Sequence, residues 1–482
     1  MNIIVIVIDT LRYDYVGAHG NDWIKTPNMD RLAAESWVFD NSFSASYPTI
    51  PHRLDAMTGR YGGPFHCWQP LPFHVRTLPW TLAEAGYCTQ LIHDTPHLVN
   101  GGHNFDWPFH AWTPVRGAEV DRPWIDNLES LPENWGRDEV FDFADWGQVK
   151  NHFICGPFAR ANRKRKTADD WNCARLFATC SRFLEDNAGR DNFFLWVDCF
   201  DPHEPWEAPG EFMKMYDKTP GYDGRIDPRS IIARNEPNVP EAARNRVKAA
   251  YAAKVTWMDH CLGGFLCTLE RTGLSKDTAV LLTSDHGTNV GDHGRFGKGA
   301  VIYESIGHTP FMVRTPGGGR GRSDTVVQPQ DIFATVMGLA GRETPDELES
   351  YDVVAAARKG GRTPRKLAVS GWNAGGWKRP TEGYLFSAFD GQWCLEVAAR
   401  PEDSRLVRMG RTENVAAEHG DVVERLHAAA IDEVERRGTD GALMKWLRGG
   451  GRGKFPENAR LHDYFPPPAG YTQYWGRTYV ER

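Results

Sequence analysis

Several stretches of this 482-residue chain set chemically capable side chains directly after apolar runs. Asp9 follows Asn2-Ile3-Ile4-Val5-Ile6-Val7-Ile8, and Asp285-His286 follows Ala279-Val280-Leu281-Leu282-Thr283-Ser284. Asp201-Pro202-His203 follows the aromatic run from Phe193 to Cys199, and Thr49 sits in a loop after the segment from Ser36 to Phe43. Open α/β sheets gather ligands at the carboxyl edge of their strands. A lone carboxylate in such a place is often a helix cap; the recurrence in one chain is what points to a site. A threonine hydroxyl is a weak nucleophile at neutral pH and needs activation. A divalent cation lowers its pKa and polarises a phosphoryl oxygen at once. Two carboxylates and an imidazole are a common ligand set for Zn²⁺ or Mn²⁺, and Asp9, Asp285, His286 and the Thr49 Oγ would make four ligands. His286 disfavours a pure Ca²⁺ site, because Ca²⁺ prefers oxygen throughout.

The elements that must position these residues alternate between strand and helix. Strands are expected over 2–8, 36–43, 88–93, 193–199, 279–284 and 309–314. Helices are expected over 28–35, from Arg53 to Met57 behind the Thr49 loop, over 81–85 and over 331–339. A long helix from Glu241 to Arg271 repeats apolar residues at helical spacing through Tyr251, Val255, Met258 and Leu262. This pattern argues for an α/β fold with a large, mostly parallel mixed sheet sandwiched by helices. The polar stretch from Ala208 to Pro240 reads as an irregular excursion over the active-site face. Near Thr363 the texture changes to short strands (366–370, 383–389, 393–397, 406–409) and an amphipathic helix over 422–437. The expected division is a catalytic domain over 1–360 and a small C-terminal α+β subdomain over 361–482, ending in an aromatic tail.

Composition narrows the class. The chain exceeds the size at which one core stops growing. A net charge of −7 gives no reason to expect nucleic-acid or bilayer binding. The run Arg163-Lys164-Arg165-Lys166 reads as a solvated face or helix start. The first apolar run is too short to span a bilayer and has no signal-peptide flanks. Nine scattered cysteines, an odd number, fit a reducing compartment, and the expected location is the cytoplasm.

A resemblance adds detail. Thr49-Ile50-Pro51-His52-Arg53, followed by Thr58-Gly59-Arg60-Tyr61, resembles the signature of the sulfatase family in the alkaline phosphatase superfamily. Ile8-Asp9-Thr10-Leu11-Arg12 and Thr26-Pro27-Asn28-Met29-Asp30-Arg31-Leu32 resemble its opening segments. Asp201-Pro202-His203-Glu204-Pro205-Trp206, Ser284-Asp285-His286-Gly287 and Gly297-Lys298-Gly299 follow in the family's order. The resemblance implies that Asp9, Asp285 and His286 hold a metal and that Arg53 holds the nucleophile. It further implies that His97, His203 and Lys298 contact the ester oxygens or protonate the leaving group. Three departures stand out. Thr10 replaces a second Asp, Thr95 replaces a Lys, and Thr49 replaces the Cys or Ser that sulfatases oxidise to formylglycine.

Threonine cannot become that aldehyde, so the expectation moves from sulfate to phosphate esters. The expected function is metal-dependent hydrolysis of a phosphodiester or phosphonate monoester through a covalent Thr49 intermediate. The alternatives are a sulfatase working without formylglycine and a non-catalytic anion-binding protein. The expected cofactor is Mn²⁺ or Zn²⁺, with Ca²⁺ or Mg²⁺ as alternatives. One metal site is expected, with Asp201 and His308 as candidates for a second. The expected partner is a small phosphate, phosphonate or sulfate ester, with no nucleic acid or membrane; a homo-oligomer is left open. Trp107, Trp112 and Trp124 either shape the leaving-group pocket or belong to the core.

Overall fold

The computed structural model describes residues 1–62, 65–100, 102–125, 135–145, 147, 151–227, 229, 239–299, 301–372 and 383–456. The tail aromatics Tyr464, Phe465, Tyr471, Tyr474 and Trp475 lie outside the described residues. The strands in chain order are β1 (Asn2–Ile8), β2 (Trp37–Ser42), β3 (Ser46–Tyr47), β4 (Cys88–His93), β5 (Ala111–Pro114), β6 (Phe193–Cys199), β7 (Thr278–Ser284) and β8 (Asn289–Val290). They continue with β9 (Phe296–Gly297), β10 (Phe311–Arg314), β11 (Gly321–Val327), β12 (Ala368–Trp372), β13 (Phe386–Phe389), β14 (Trp393–Val397) and β15 (Arg405–Arg408).

Eight strands form the main sheet in the order β11-β2-β10-β7-β1-β6-β4-β5. Only β10 runs against its neighbours. The expected mostly parallel mixed sheet is therefore present. β1 is buried along its whole length, as the unbroken apolar run of a central parallel strand requires. Its alternate side chains feed two cores. Ile4, Ile6 and Ile8 pack with Val247, Tyr251, Val255, Met258 and Leu262 of the long helix Glu241–Arg271. Ile3, Val5 and Val7 pack with Ile50, Leu54 and Met57 of the helix Thr49–Thr58. That i, i+4, i+7 spacing presses one face of the Thr49 helix onto the sheet.

Four adjacent strands, β4, β6, β1 and β7, run parallel, with Ile8 in register with both Cys199 and Ser284 and His93 with Asp198. Their carboxyl ends therefore lie along one edge. Asp9, Asp285-His286, His203 and His97 all follow those ends.

A second sheet, β15-β14-β13-β12-β3, covers the C-terminal region. Its β12 pairs in parallel with β3, Gly371 opposite Ser46 and Trp372 opposite Tyr47. The segment just before Thr49 is thus a strand of the smaller sheet.

Three local expectations are corrected. The Thr49 loop is the first turn of a helix that starts at Thr49, not at Arg53; Pro51 is accommodated because the first turn needs no amide hydrogen from it. The stretch after Ala208 contains a helix, Gly210–Tyr216. Arg165 of the basic run is buried, paired with Glu207 and set against the rings of Phe158 and Trp171. No helix among the described residues is long and apolar enough to cross a membrane.

Candidate metal centre and ester-binding site

Asp9, Asp285 and His286 are buried and offer ligand atoms within 4.8 Å of one another. His286 Nδ1–H donates to the Gly287 carbonyl at 2.8 Å. A carbonyl only accepts, so Nε2 keeps its lone pair. That buried Nε2 has no hydrogen-bond partner and faces Asp285 Oδ2 at 3.4 Å and Asp9 Oδ1 at 3.9 Å. Three acceptors turned on one another are the donor set of a cation, and the residues fit a divalent metal. Burial pulls the His286 pKa down to about 4, which keeps the imidazole neutral and able to ligate. Burial and the Asp285 carboxylate push Asp9 well above the usual carboxylate range. Burial also opposes the Asp285 charge, but His286 and Arg53 overcome it and hold that carboxyl well below its ordinary value.

Thr10, the first of the three departures, ties the two carboxylates together. Its N–H donates to Asp285 Oδ1 at 2.9 Å and its hydroxyl to Asp9 Oδ1 at 2.6 Å. It does so at φ +68°. This left-handed conformation costs a β-branched residue about 1–3 kcal/mol and collects at functional sites.

Thr49 is buried at the start of its helix. One turn on, the fully buried Arg53 reaches the Thr49 carbonyl (Nη1, 3.4 Å), Asp9 (3.3 Å) and Asp285. It also makes a two-pronged contact with Asp198, Nε at 3.0 Å and Nη2 at 2.8 Å. Asp198 was not singled out in the sequence, although a carboxylate inside Phe193–Cys199 was a signal, since buried acids are almost always paired. Thr95, the second departure, donates to Asp198 at 2.6 Å, and Trp196 Nε1 donates at 3.1 Å. Three buried carboxyl groups thus face one guanidinium, and a divalent cation would offset the negative charge that Arg53 alone leaves unmatched once Asp9 ionises.

The expected oxygen-contacting residues line up through two carboxylates that sequence reasoning gave no role. His97 Nε2 lies 2.6 Å from Glu119 Oε2, and His203 Nε2 lies 4.0 Å from Glu119 Oε1. His203 Nδ1 donates to the Glu204 carbonyl at 2.7 Å, and Lys298 Nζ meets Glu204 Oε2 at 3.0 Å. Burial lowers the His203 pKa to about 4, and its ring stacks on Phe200 with centroids 4.1 Å apart. Tyr47 connects the two groups: its ring lies 4.9 Å from that of His286, and Glu204, Asp285 and Asp9, acting after burial, raise its phenol pKa.

The loop carrying His203 is held from below. Lys254 Nζ, buried on the long helix, donates to the carbonyls of His203 (2.6 Å) and Pro205 (2.9 Å) and pairs with Asp201 at 2.9 Å. Asp201 is therefore a salt-bridge partner, and among the described residues it lies outside the group that could hold a metal. His308 stacks on Tyr13 and bonds the Asp40 carbonyl at 2.8 Å. Among the described residues the Asp9, Asp285 and His286 group is the one that could hold a metal. Trp107 packs edge-on against Phe73, while Trp112 and Trp124 are exposed.

The fold and the match to a family model together place the chain among the hydrolases of the alkaline phosphatase superfamily. Residues 1–342 match the model of the sulfatase family, and the chain belongs to that family. It is 28% identical over 382 residues to an arylsulfatase of Clostridium perfringens, covering 73% of this chain and 77% of that one. It is 27% identical over 414 residues to the multifunctional alkaline phosphatase superfamily protein PehA of Trinickia caryophylli, covering 74% and 77%. The fold matches the crystal structure of a phosphonate monoester hydrolase of Agrobacterium radiobacter with a TM-score of 0.64 at 19% identity, covering 90% of this chain and 95% of that one.

Proposed function

We propose that this chain hydrolyses phosphoric esters, a phosphodiester or a phosphonate monoester, with Thr49 as the nucleophile. The observation that carries the reading is a plain hydroxyl on the helix turn whose Arg53 meets both candidate metal-binding carboxylates. A divalent cation held by Asp9, Asp285 and His286, with Mn²⁺ or Zn²⁺ favoured, would supply positive charge for the nucleophile and the phosphoryl oxygens. Thr49 Oγ gives its proton to solvent and attacks phosphorus in line as the bond to the leaving oxygen breaks. Arg53 and Lys298 stabilise charge on the equatorial oxygens, which is the main work of phosphoryl transfer. The positive end of the Thr49–Thr58 helix adds to this field. The leaving oxygen takes a proton on the His97 and His203 side. Water then attacks phosphorus and releases Thr49. The nine scattered cysteines, an odd number, support a reducing compartment, the cytoplasm.

A second reading is sulfate-ester hydrolysis without formylglycine, favoured by the family match. Rates on p-nitrophenyl phosphate diester, phosphonate monoester, phosphate monoester and sulfate, after chelation and after adding back Mn²⁺ or Zn²⁺, separate the two. Metal-restored turnover of the diester or phosphonate supports the first reading; dominant sulfate turnover overturns it.

A further inference from the structure

We propose that Glu119 is a positioning residue that holds His97 and His203 as one proton-delivering pair on the leaving-group side. The inference rests on the hydrolase reading above. Glu119 belongs to no motif of the sequence, yet its carboxylate faces both rings, 2.6 Å from His97 and 4.0 Å from His203. Its backbone sits at φ +31°. Strain of that kind persists only where the surroundings over-determine it, and here they do. Arg116 grips Asp121 with Nε at 2.7 Å and Nη2 at 2.6 Å. Asp121 also takes the Gly117 N–H at 2.7 Å. Asn162 and Asn172 donate to the carbonyls of Gly117 and Arg116, at 2.8 and 3.2 Å. The loop 116–121 is thereby closed and pinned, and Glu119 stands inside it.

The chemistry follows from the two oxygens. A carboxylate cannot donate, so His97 must present Nε2–H to Oε2, which fixes its tautomer. The other oxygen faces a His203 nitrogen left without a proton by the Nδ1–H bond to the Glu204 carbonyl. An anion beside the His203 ring favours its imidazolium form against the burial that opposes it. The charged groups around them are Glu119, Glu204 and Lys298, with His103 bonded to the His97 carbonyl. Burial disfavours the Glu119 charge, but His203, His97 and Lys298 outweigh it and leave the carboxyl below its usual range, so it stays anionic at neutral pH. When the bond from phosphorus to the leaving oxygen breaks, that oxygen takes the proton of the imidazolium form, a minor form at neutral pH because burial holds His203 at about 4 and one that Glu119 enlarges, and the ring returns to neutral.

The test compares wild type with Glu119→Gln and Glu119→Asp. kcat and KM are measured across neutral pH on a p-nitrophenyl ester and on the alkyl ester of the same acid. Nitrophenoxide leaves without a proton and an alkoxide does not. Glu119→Gln is expected to lose at least roughly ten-fold more on the alkyl ester, in kcat, with the gap widening as pH rises, because positioned proton transfer is worth roughly 10²–10⁴-fold. Glu119→Asp is expected to restore part of it. Equal losses on both esters, or none, overturn the proposal. A second readout does not depend on turnover. Imidazole ¹⁵N NMR on labelled protein should show a lower His203 pKa and a loss of the fixed His97 Nε2–H tautomer in Glu119→Gln, and unchanged spectra overturn the proposal even if the enzyme acts on neither ester. A wild type silent on both esters, with the NMR shift present, would count against the hydrolase reading and in favour of the Glu119 role.

Discussion

Replacing Asp198 by Asn tests the electrostatic core of the site most directly. The carboxylate is fully buried and accepts bonds from Arg53 Nε and Nη2, Thr95 Oγ1 and Trp196 Nε1. Asparagine keeps the shape, removes the charge and turns one acceptor into a donor that must face one of these donors. Breaking one side of a buried pair costs about 3–5 kcal/mol, because the partner charge stays behind. Here the partner is Arg53, which would then be held only by Asp9, Asp285 and the Thr49 carbonyl. Thr95→Val removes a single bond to the same charge and should cost about 1.5–3 kcal/mol. Urea unfolding of the metal-loaded protein, with the two variants side by side, gives the comparison. The pH dependence adds a sign. Burial raises the Asp198 pKa, but Arg53 and the other donors overcome this and leave it below 3.8. A depressed carboxyl contributes stability that is present above its unfolded pKa and lost as pH falls through its folded value. The deficit of Asp198→Asn should therefore be constant from neutral pH down to about 5 and shrink only in stronger acid. An Asp198→Asn variant no less stable than Thr95→Val, or a deficit that changes between pH 8 and about 6, would refute the claim that Asp198 anchors Arg53.

Two further outcomes follow from the geometry. Thr49→Ala should abolish turnover while metal content, read by elemental analysis, and the unfolding curve stay close to wild type; normal turnover would remove Thr49 from the mechanism. Lys254→Met removes the donors that hold the His203 and Pro205 carbonyls and leaves Asp201 unpaired. Since a displacement of about 1 Å can cost roughly 10²-fold, kcat should fall by about that factor with metal content unchanged, and a kcat within about two-fold of wild type would show that the loop needs no such support.

The sequence by itself determined the frame. Short apolar runs rich in β-branched residues or leucine, such as 3–8 and 279–282, read as buried strands, and a polar residue just past each then falls on one edge once the strands run parallel. Asp9, Asp285-His286 and His203 were legible for that reason, because each is tied to its strand by a few covalent bonds. The Thr49 helix was only partly legible, since Pro51 reads as a break unless the start of the helix is already known. What tertiary structure alone decided is who neutralises whom. Arg53 finds Asp198 across 145 positions and Lys254 finds the His203 carbonyl across 51. Glu119 reaches His97 from a loop with no periodicity and no motif. Such pairings are chosen by burial, which makes an unmatched charge costly wherever it lies in the chain, and a cost set by spatial neighbours leaves no pattern in residue spacing.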